Sequence, residues 1–167
     1  NFRNQMRYLK NVFPIIRFDE DWTKTAKPAV CVTFDDGYAD NVLEALPILE
    51  DLGVPATFFV STGTIGTTRE FWWHEVERIV LETGNLPATF TLNDSRNGRI
   101  WPTGSDRERR EFYHEIVGLM NKNDAVHRTN WLEQLRNWAQ IGESIADKHR
   151  AMTVNELRLL AGSRHIT

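Results

Sequence analysis

Two short apolar runs constrain this chain more than any other feature. Ala29 to Phe34 carries Val30, Val32 and Thr33, and Ala56 to Val60 carries Thr57, Phe58 and Phe59. Both are too short for independent helices and rich in β-branched or aromatic residues, so both read as buried strands. Between them, Ala39 to Leu52 has Val42, Leu43, Leu46 and Leu49 at helical spacing. Pro47 should kink that helix or start a second segment, because it lacks an N–H and crowds the preceding turn. Gly53 stands where a helix C-cap glycine belongs. Strand, helix, strand over about thirty residues is a βαβ unit, which requires parallel strands and a right-handed crossover.

The rest of the pattern is mainly helical. Phe2, Met6, Leu9 and Val12 share one face of a helix over residues 2–12, and a polar link follows. Phe71 to Leu81 reads as a helix with Trp72, Val76, Ile79 and Val80 inward, leaving His74 and Arg78 outward. Residues 88–101 read as a hairpin turning through Asn93–Gly98. Ser105 with Glu108 gives a capping box for a helix to about Asn121, burying Phe112, Ile116, Leu119 and Met120. Trp131, Leu135 and Trp138 are in register on a helix after Asp124. Thr153 with Glu156 opens a last helix carrying Val154, Leu157 and Leu160 and ending at Gly162, and residues 164–167 look like the start of a third strand. About eighty residues thus separate the second strand from the last helix, far more than an α/β connection needs. The chain divides on this reading into a first βαβ part at 1–66, a mainly helical insertion at 67–150, and a return helix with the start of a strand at 151–167.

The chemistry concentrates in Thr33-Phe34-Asp35-Asp36-Gly37-Tyr38. Two adjacent carboxylates at the C-terminal end of a buried strand repel each other unless a cation neutralises them. A divalent metal resolves the conflict if one Asp binds it and the other stays free as a base. The C-terminal ends of parallel strands are also where α/β folds place their sites, and Gly37 permits a tight exit turn. The plainer alternative is that the pair only caps the following helix.

The string T-F-D-D-G-Y resembles the first motif of the polysaccharide deacetylases, carbohydrate esterase family four. The likeness continues through Asp40-Asn41 and through Gly53-Val54-Pro55-Ala56-Thr57-Phe58-Phe59-Val60, similar to the family's G-x-P-A-T-F-F-V segment. It covers residues 1–64 and extends to the final helix at 153–161. Phe71-Trp72-Trp73-His74-Glu75 resembles the insertion of members linked to cell-surface polysaccharides. The resemblance implies an α/β fold, here an incomplete distorted (β/α) barrel of parallel strands with a mainly helical insertion. It implies hydrolysis of N-acetyl, or sometimes O-acetyl, groups on a polysaccharide or oligosaccharide. It assigns Asp35 as general base and Asp36 as ligand of a divalent metal, often zinc. The family completes its site with H-x-x-x-H after the third strand, an R-x-x-P-Y segment and a late histidine acting as general acid. None of these strings occurs here, and the chain ends at His165-Ile166-Thr167, where the third strand should begin. The fragment by itself is therefore expected to be inactive.

The remaining candidates weigh less. His165 follows Gly162 by three residues, which puts it at the start of its strand, at the opposite end from Asp36. His74 sits in H-E-V-E, which is not the H-E-x-x-H zinc motif. His114, His127 and His149 stand alone. Trp72, Trp73, Trp131 and Trp138 could stack on sugar rings, but helical spacing favours core packing. Arg107, Arg109 and Arg110 read as a solvated helix face. A net charge of -3 gives no basic surface for nucleic acid, and no apolar run approaches a membrane span. Cys31 is the single cysteine, so no internal disulfide can form. The opening Asn1-Phe2-Arg3-Asn4 has neither an initiator Met nor a signal pattern, as at the start of a fragment, and leaves the compartment open between cytoplasm and cell envelope. Unprotected strand edges give a route to oligomers. Two other classes compete. One is a non-catalytic, deacetylase-like carbohydrate-binding or scaffold module. The other is an aspartate-nucleophile phosphatase, which needs D-x-D spacing rather than adjacent aspartates.

Overall fold

The computed structural model describes residues 1–67, 69–94, 98–142 and 149–167. The chain packs as two compact units, one of Asn1–Arg69 with Ile145–Thr167 and the other of Glu70–Ser144.

The first unit opens with α1 (Phe2–Val12), whose Met6 is buried while Val12 lies half exposed. The link after it, which the sequence pattern presents as polar, contains β1 (Ile15–Ile16). This pair is too short for a periodicity to register, and only its partner defines it. β1 lies parallel to β2 (Val30–Cys31), with Ile15 opposite Val30 and Ile16 opposite Cys31. β3 (Thr33–Phe34) lies parallel to β4 (Thr57–Phe58), with Thr33 opposite Thr57 and Phe34 opposite Phe58. The single strand expected over 29–34 is thus two dipeptides that serve different neighbours. Ile166 bridges Ala56 in parallel, adding the third-strand contact expected near the end of the sequence.

These strands are not buried on both faces. Val32 is buried and Phe34 half buried, whereas Cys31 and Thr33 are exposed, so burial alternates as a one-sided strand requires. The covered face packs against Met6, Leu49, Val54 and Ala56, with Phe34 stacked on Phe58 at 4.4 Å.

The connection from β3 to β4 explains Pro47. Asn41–Ala45 form a wide π-helical turn, closed by Leu46 N–H donating to the Asn41 carbonyl. Then α2 (Leu46–Leu52) begins, with Pro47 in its first turn, where no N–H is needed. Gly53, at φ 57, closes α2 in the left-handed conformation.

The second unit contains α3 (Trp72–Glu77), a π-helical turn Arg78–Glu82, β5 (Thr89–Leu92), β6 (Arg99–Pro102), α4 (Asp106–Asn121) and α5 (Ala125–Ala139). β5 and β6 pair antiparallel, as the hairpin pattern predicts; Ser95, Arg96 and Asn97 of its expected turn lie outside the described residues. The core joins Val76, Ile79, Phe90, Phe112, Ile116, Met120, Trp131 and Leu135. Trp131 belongs to it fully, while Trp72 and Trp138 pack on its margin. Ser105 makes both bonds of the capping box expected for α4.

Two charged residues expected to face water turn inward. Arg78 donates to Glu70 at 2.9 Å, with the Glu70 side chain only 5% exposed. Arg109 donates to the carbonyls of Thr83 and Gly84, where the Arg78–Glu82 turn ends, and to that of Thr103, just after β6. Periodicity ranks arginine as polar and cannot foresee that its fork finds acceptors on neighbouring segments of the chain.

α6 (Val154–Gly162) belongs to the first unit and begins with a complete Thr153–Glu156 capping box. Leu160 is buried beside Val42, Leu46 and Met152, whereas Val154, expected on the same face, is half exposed.

Candidate active site

β3 hands the chain directly to the paired aspartates. Gly37 N–H donates to the Asp35 carbonyl at 2.8 Å, closing a three-residue turn around Asp36. Asp36 has φ 69, so the turn is the rare, strained γ-turn with a positive central φ. Aspartate tolerates this region better than most residues, but it is uncommon outside glycine. Gly37 follows at φ 87, and a Cβ there would lie 2.8 Å from Val60 Cγ1. Gly37 thus has no room for a side chain, whereas Asp36 carries one at a positive φ.

The turn is held from two sides. Ser61 N–H, just past β4, donates to the Asp36 carbonyl at 3.1 Å. On the other side Met152 N–H donates to the Gly37 carbonyl at 2.9 Å, Ala39 N–H donates to the Arg150 carbonyl at 3.0 Å, and Tyr38 pairs with Ala151 in an antiparallel bridge. No sequence pattern points to residues 150–152 as part of this site, because the pairing spans more than a hundred residues.

Asp35 is exposed and Asp36 half buried. With Phe59, Val60 and Ser61 they line an open depression of about 460 Å³ at the C-terminal ends of the parallel strands β3 and β4. Among the described residues neither carboxylate has a hydrogen-bond or ion-pair partner. The capping alternative fails on this point: the helical segment begins at Ala39 and runs on through Asn41–Ala45, and no N–H of its first turn donates to either carboxylate. Two unpartnered carboxylates therefore face an open depression, where strand ends in α/β proteins meet their ligands.

The histidines lie elsewhere. The His165 carbonyl accepts from Ala56 N–H at the beginning of β4, the end opposite the aspartates. His74 sits 3.4 Å from Glu77, His127 is 2.8 Å from Asp124, His114 is exposed on α4, and His149 is exposed ahead of the Arg150–Met152 strap. Among the described residues no group of three or more His, Cys, Asp or Glu side chains could hold a metal ion. Asp35 and Asp36 supply two carboxylates, fewer than the three protein ligands typical of a catalytic zinc. These residues alone do not complete a metal centre.

The model of the polysaccharide deacetylase family matches residues 23–124, a stretch that contains both aspartates and both β3 and β4. This chain belongs to the polysaccharide deacetylase family. Over 43 residues it is 44% identical to the Bacillus subtilis (strain 168) protein named "Putative polysaccharide deacetylase YxkH", covering 26% of this chain and 15% of that protein. No solved structure matches the chain. Membership agrees with a mixed fold of helices and small parallel sheets, and Asp35 and Asp36 both lie within the matched residues.

Proposed function

We propose that this chain carries the water-activating part of a polysaccharide deacetylase that hydrolyses acetyl groups, mainly N-acetyl, on a polysaccharide or oligosaccharide. The observation that carries the reading is the strained Asp35–Asp36 turn, set at the C-terminal ends of two parallel strands inside the family-matched segment. Asp35 is the general base and Asp36 a ligand of a divalent metal, zinc by preference. The assignment is the one the family resemblance implies position by position, and it is supported by Asp35 being exposed and by the Asp36 backbone being held in the turn.

In this reading Asp35 accepts a proton from the water that adds to the acetyl carbonyl carbon. The tetrahedral adduct then collapses, the C–N bond breaks, and acetate leaves as the sugar amine takes a proton. A divalent metal would contribute Lewis-acid polarisation; its further ligands are not among the described residues. The architecture that goes with this function is a distorted (β/α) barrel opened by β1–β4, with the unit of Glu70–Ser144 inserted after β4.

The test uses the full-length protein, measuring acetate release from an N-acetylated oligosaccharide and bound zinc by elemental analysis. Asp35→Asn should retain metal and lose most of kcat, roughly 100-fold or more. Asp36→Ala should lose metal and activity together. Exchange of these two behaviours would reverse the assignment, and full activity in both variants would end it.

A further inference from the structure

We propose that Arg150 and Glu156 form a clasp that positions the Asp35–Asp36 turn, so that Arg150 is a positioning residue for hydrolysis. The proposal rests on the assignment of the two aspartates made above.

The turn cannot hold itself. It has one internal bond, Gly37 N–H to the Asp35 carbonyl, and two consecutive residues at positive φ. An L-residue in the left-handed region lies above its ordinary conformations in energy, so an unrestrained Asp36 would leave it. The restraint comes from outside, chiefly from the strap Arg150–Met152, which bonds to Gly37 and Ala39 and bridges Tyr38. Ala151 and Met152 are fully buried, and the Met152 carbonyl accepts from Gly66 N–H at 2.9 Å. The strap is therefore a seated strand segment rather than a loose loop.

The clasp fixes where the strap sits. Arg150 Nη1 donates to Glu156 Oε2 at 2.8 Å and Nη2 to Oε1 at 2.7 Å, while Nη1 also reaches the Ala151 carbonyl at 3.1 Å. One guanidinium thus ties the strap's own backbone to a carboxylate. That carboxylate is itself fixed, because Glu156 Oε2 accepts from Thr153 N–H at 2.8 Å and Glu156 N–H donates to Thr153 Oγ1. Both side chains are mostly buried, 18% and 12% exposed. The path runs from the first turn of α6, through Arg150, into the strap, and through two backbone bonds into the Asp turn. Only an arginine fork makes these contacts together; lysine offers a point charge without the planar pair.

The full-length protein with Arg150→Met, Arg150→Lys, Glu156→Gln and the Arg150→Met/Glu156→Gln double variant tests this. The readouts are acetate release from an N-acetylated oligosaccharide and zinc affinity, at a temperature where each variant is folded by circular dichroism. Arg150→Met should lower kcat roughly 10- to 100-fold, as expected of a misplacement of about 1 Å at a reacting group, with KM within about twofold. Zinc affinity should weaken because Asp36 shifts. Arg150→Lys should recover part of the loss. Glu156→Gln should resemble Arg150→Met, and the double variant should be no worse than either, as for two halves of one unit. If Arg150→Met fails to fold, Glu156→Gln and Arg150→Lys carry the test. Unchanged kcat and zinc affinity in the clasp variants, beside an inactive Asp35→Asn, would overturn the clasp and leave the aspartate assignment intact. A loss that tracks melting temperature alone and is not relieved by lysine would also overturn it. A fully active Asp35→Asn would overturn both.

Discussion

Gly37→Ala isolates the backbone requirement of the site. Two terms act against the substitution. A residue with a Cβ at φ 87 costs about 1–2 kcal/mol relative to glycine. The new Cβ would also sit 2.8 Å from Val60 Cγ1 and 3.4 Å from Ile65 Cδ1. Forcing these apart costs about 1–3 kcal/mol, as overpacking generally does. Loss of unfolded-state freedom offsets about 0.4–1 kcal/mol. The net expectation is a destabilisation of roughly 2–4 kcal/mol, measured by urea unfolding of the full-length protein. Val60→Ala in the same background should recover the steric share only, leaving the φ cost, so the double-mutant cycle should show favourable coupling. Gly63 provides the contrast: no atom lies within 4 Å of a Cβ there, and its φ is ordinary. Gly63→Ala should fall within about 0.5 kcal/mol of wild type. If Gly37→Ala were as stable as Gly63→Ala, both the steric and the conformational argument would be refuted. If Val60→Ala recovered nothing, the clash would lie elsewhere.

Two further outcomes follow from the charged pairs. Arg136 binds Glu75 through two bonds of 2.7 and 2.9 Å, with both side chains nearly buried, so Arg136→Met should cost about 3 kcal/mol by chemical denaturation; this is the low end for a broken buried pair, because Arg78 remains 3.9 Å from the same carboxylate. A loss under about 1 kcal/mol would show that Arg78 replaces the lost partner. The Arg150 guanidinium, burial working against it, and the Thr153 bonds together hold the Glu156 carboxyl down from 4.5 to about 2. A depressed folded-state value means the stabilisation is fully present above pH ~4.5 and is lost as pH falls toward ~2. Glu156→Gln retains an acceptor for the capping bond, so it should be less stable than wild type by about 1–2 kcal/mol near neutrality and converge with it near pH 2. Parallel melting curves at all pH values would contradict this.

Local sequence determined the elements whose cause is local. The spacing of apolar residues in α1, α4 and α5, the Ser105 and Thr153 capping boxes and the Gly53 cap act within one or two turns, so reading them requires no partner. The Asp35–Asp36–Gly37 string was legible for the same reason, since adjacent carboxylates after a β-branched run state a chemical problem by themselves. Tertiary structure decided what depends on neighbours distant in sequence. Ile15–Ile16 is a strand only because Val30–Cys31 lies beside it. Val30–Phe34 is divided because β1 and β4 claim different halves of it. Arg78 and Arg109 are inward because acceptors wait there, which polarity cannot reveal. The positive φ of Asp36 is likewise invisible locally: it persists because Ser61 and the Arg150–Met152 strap hold the turn. Hydrogen bonds from residues more than a hundred positions away outweigh the intrinsic preference of a single aspartate.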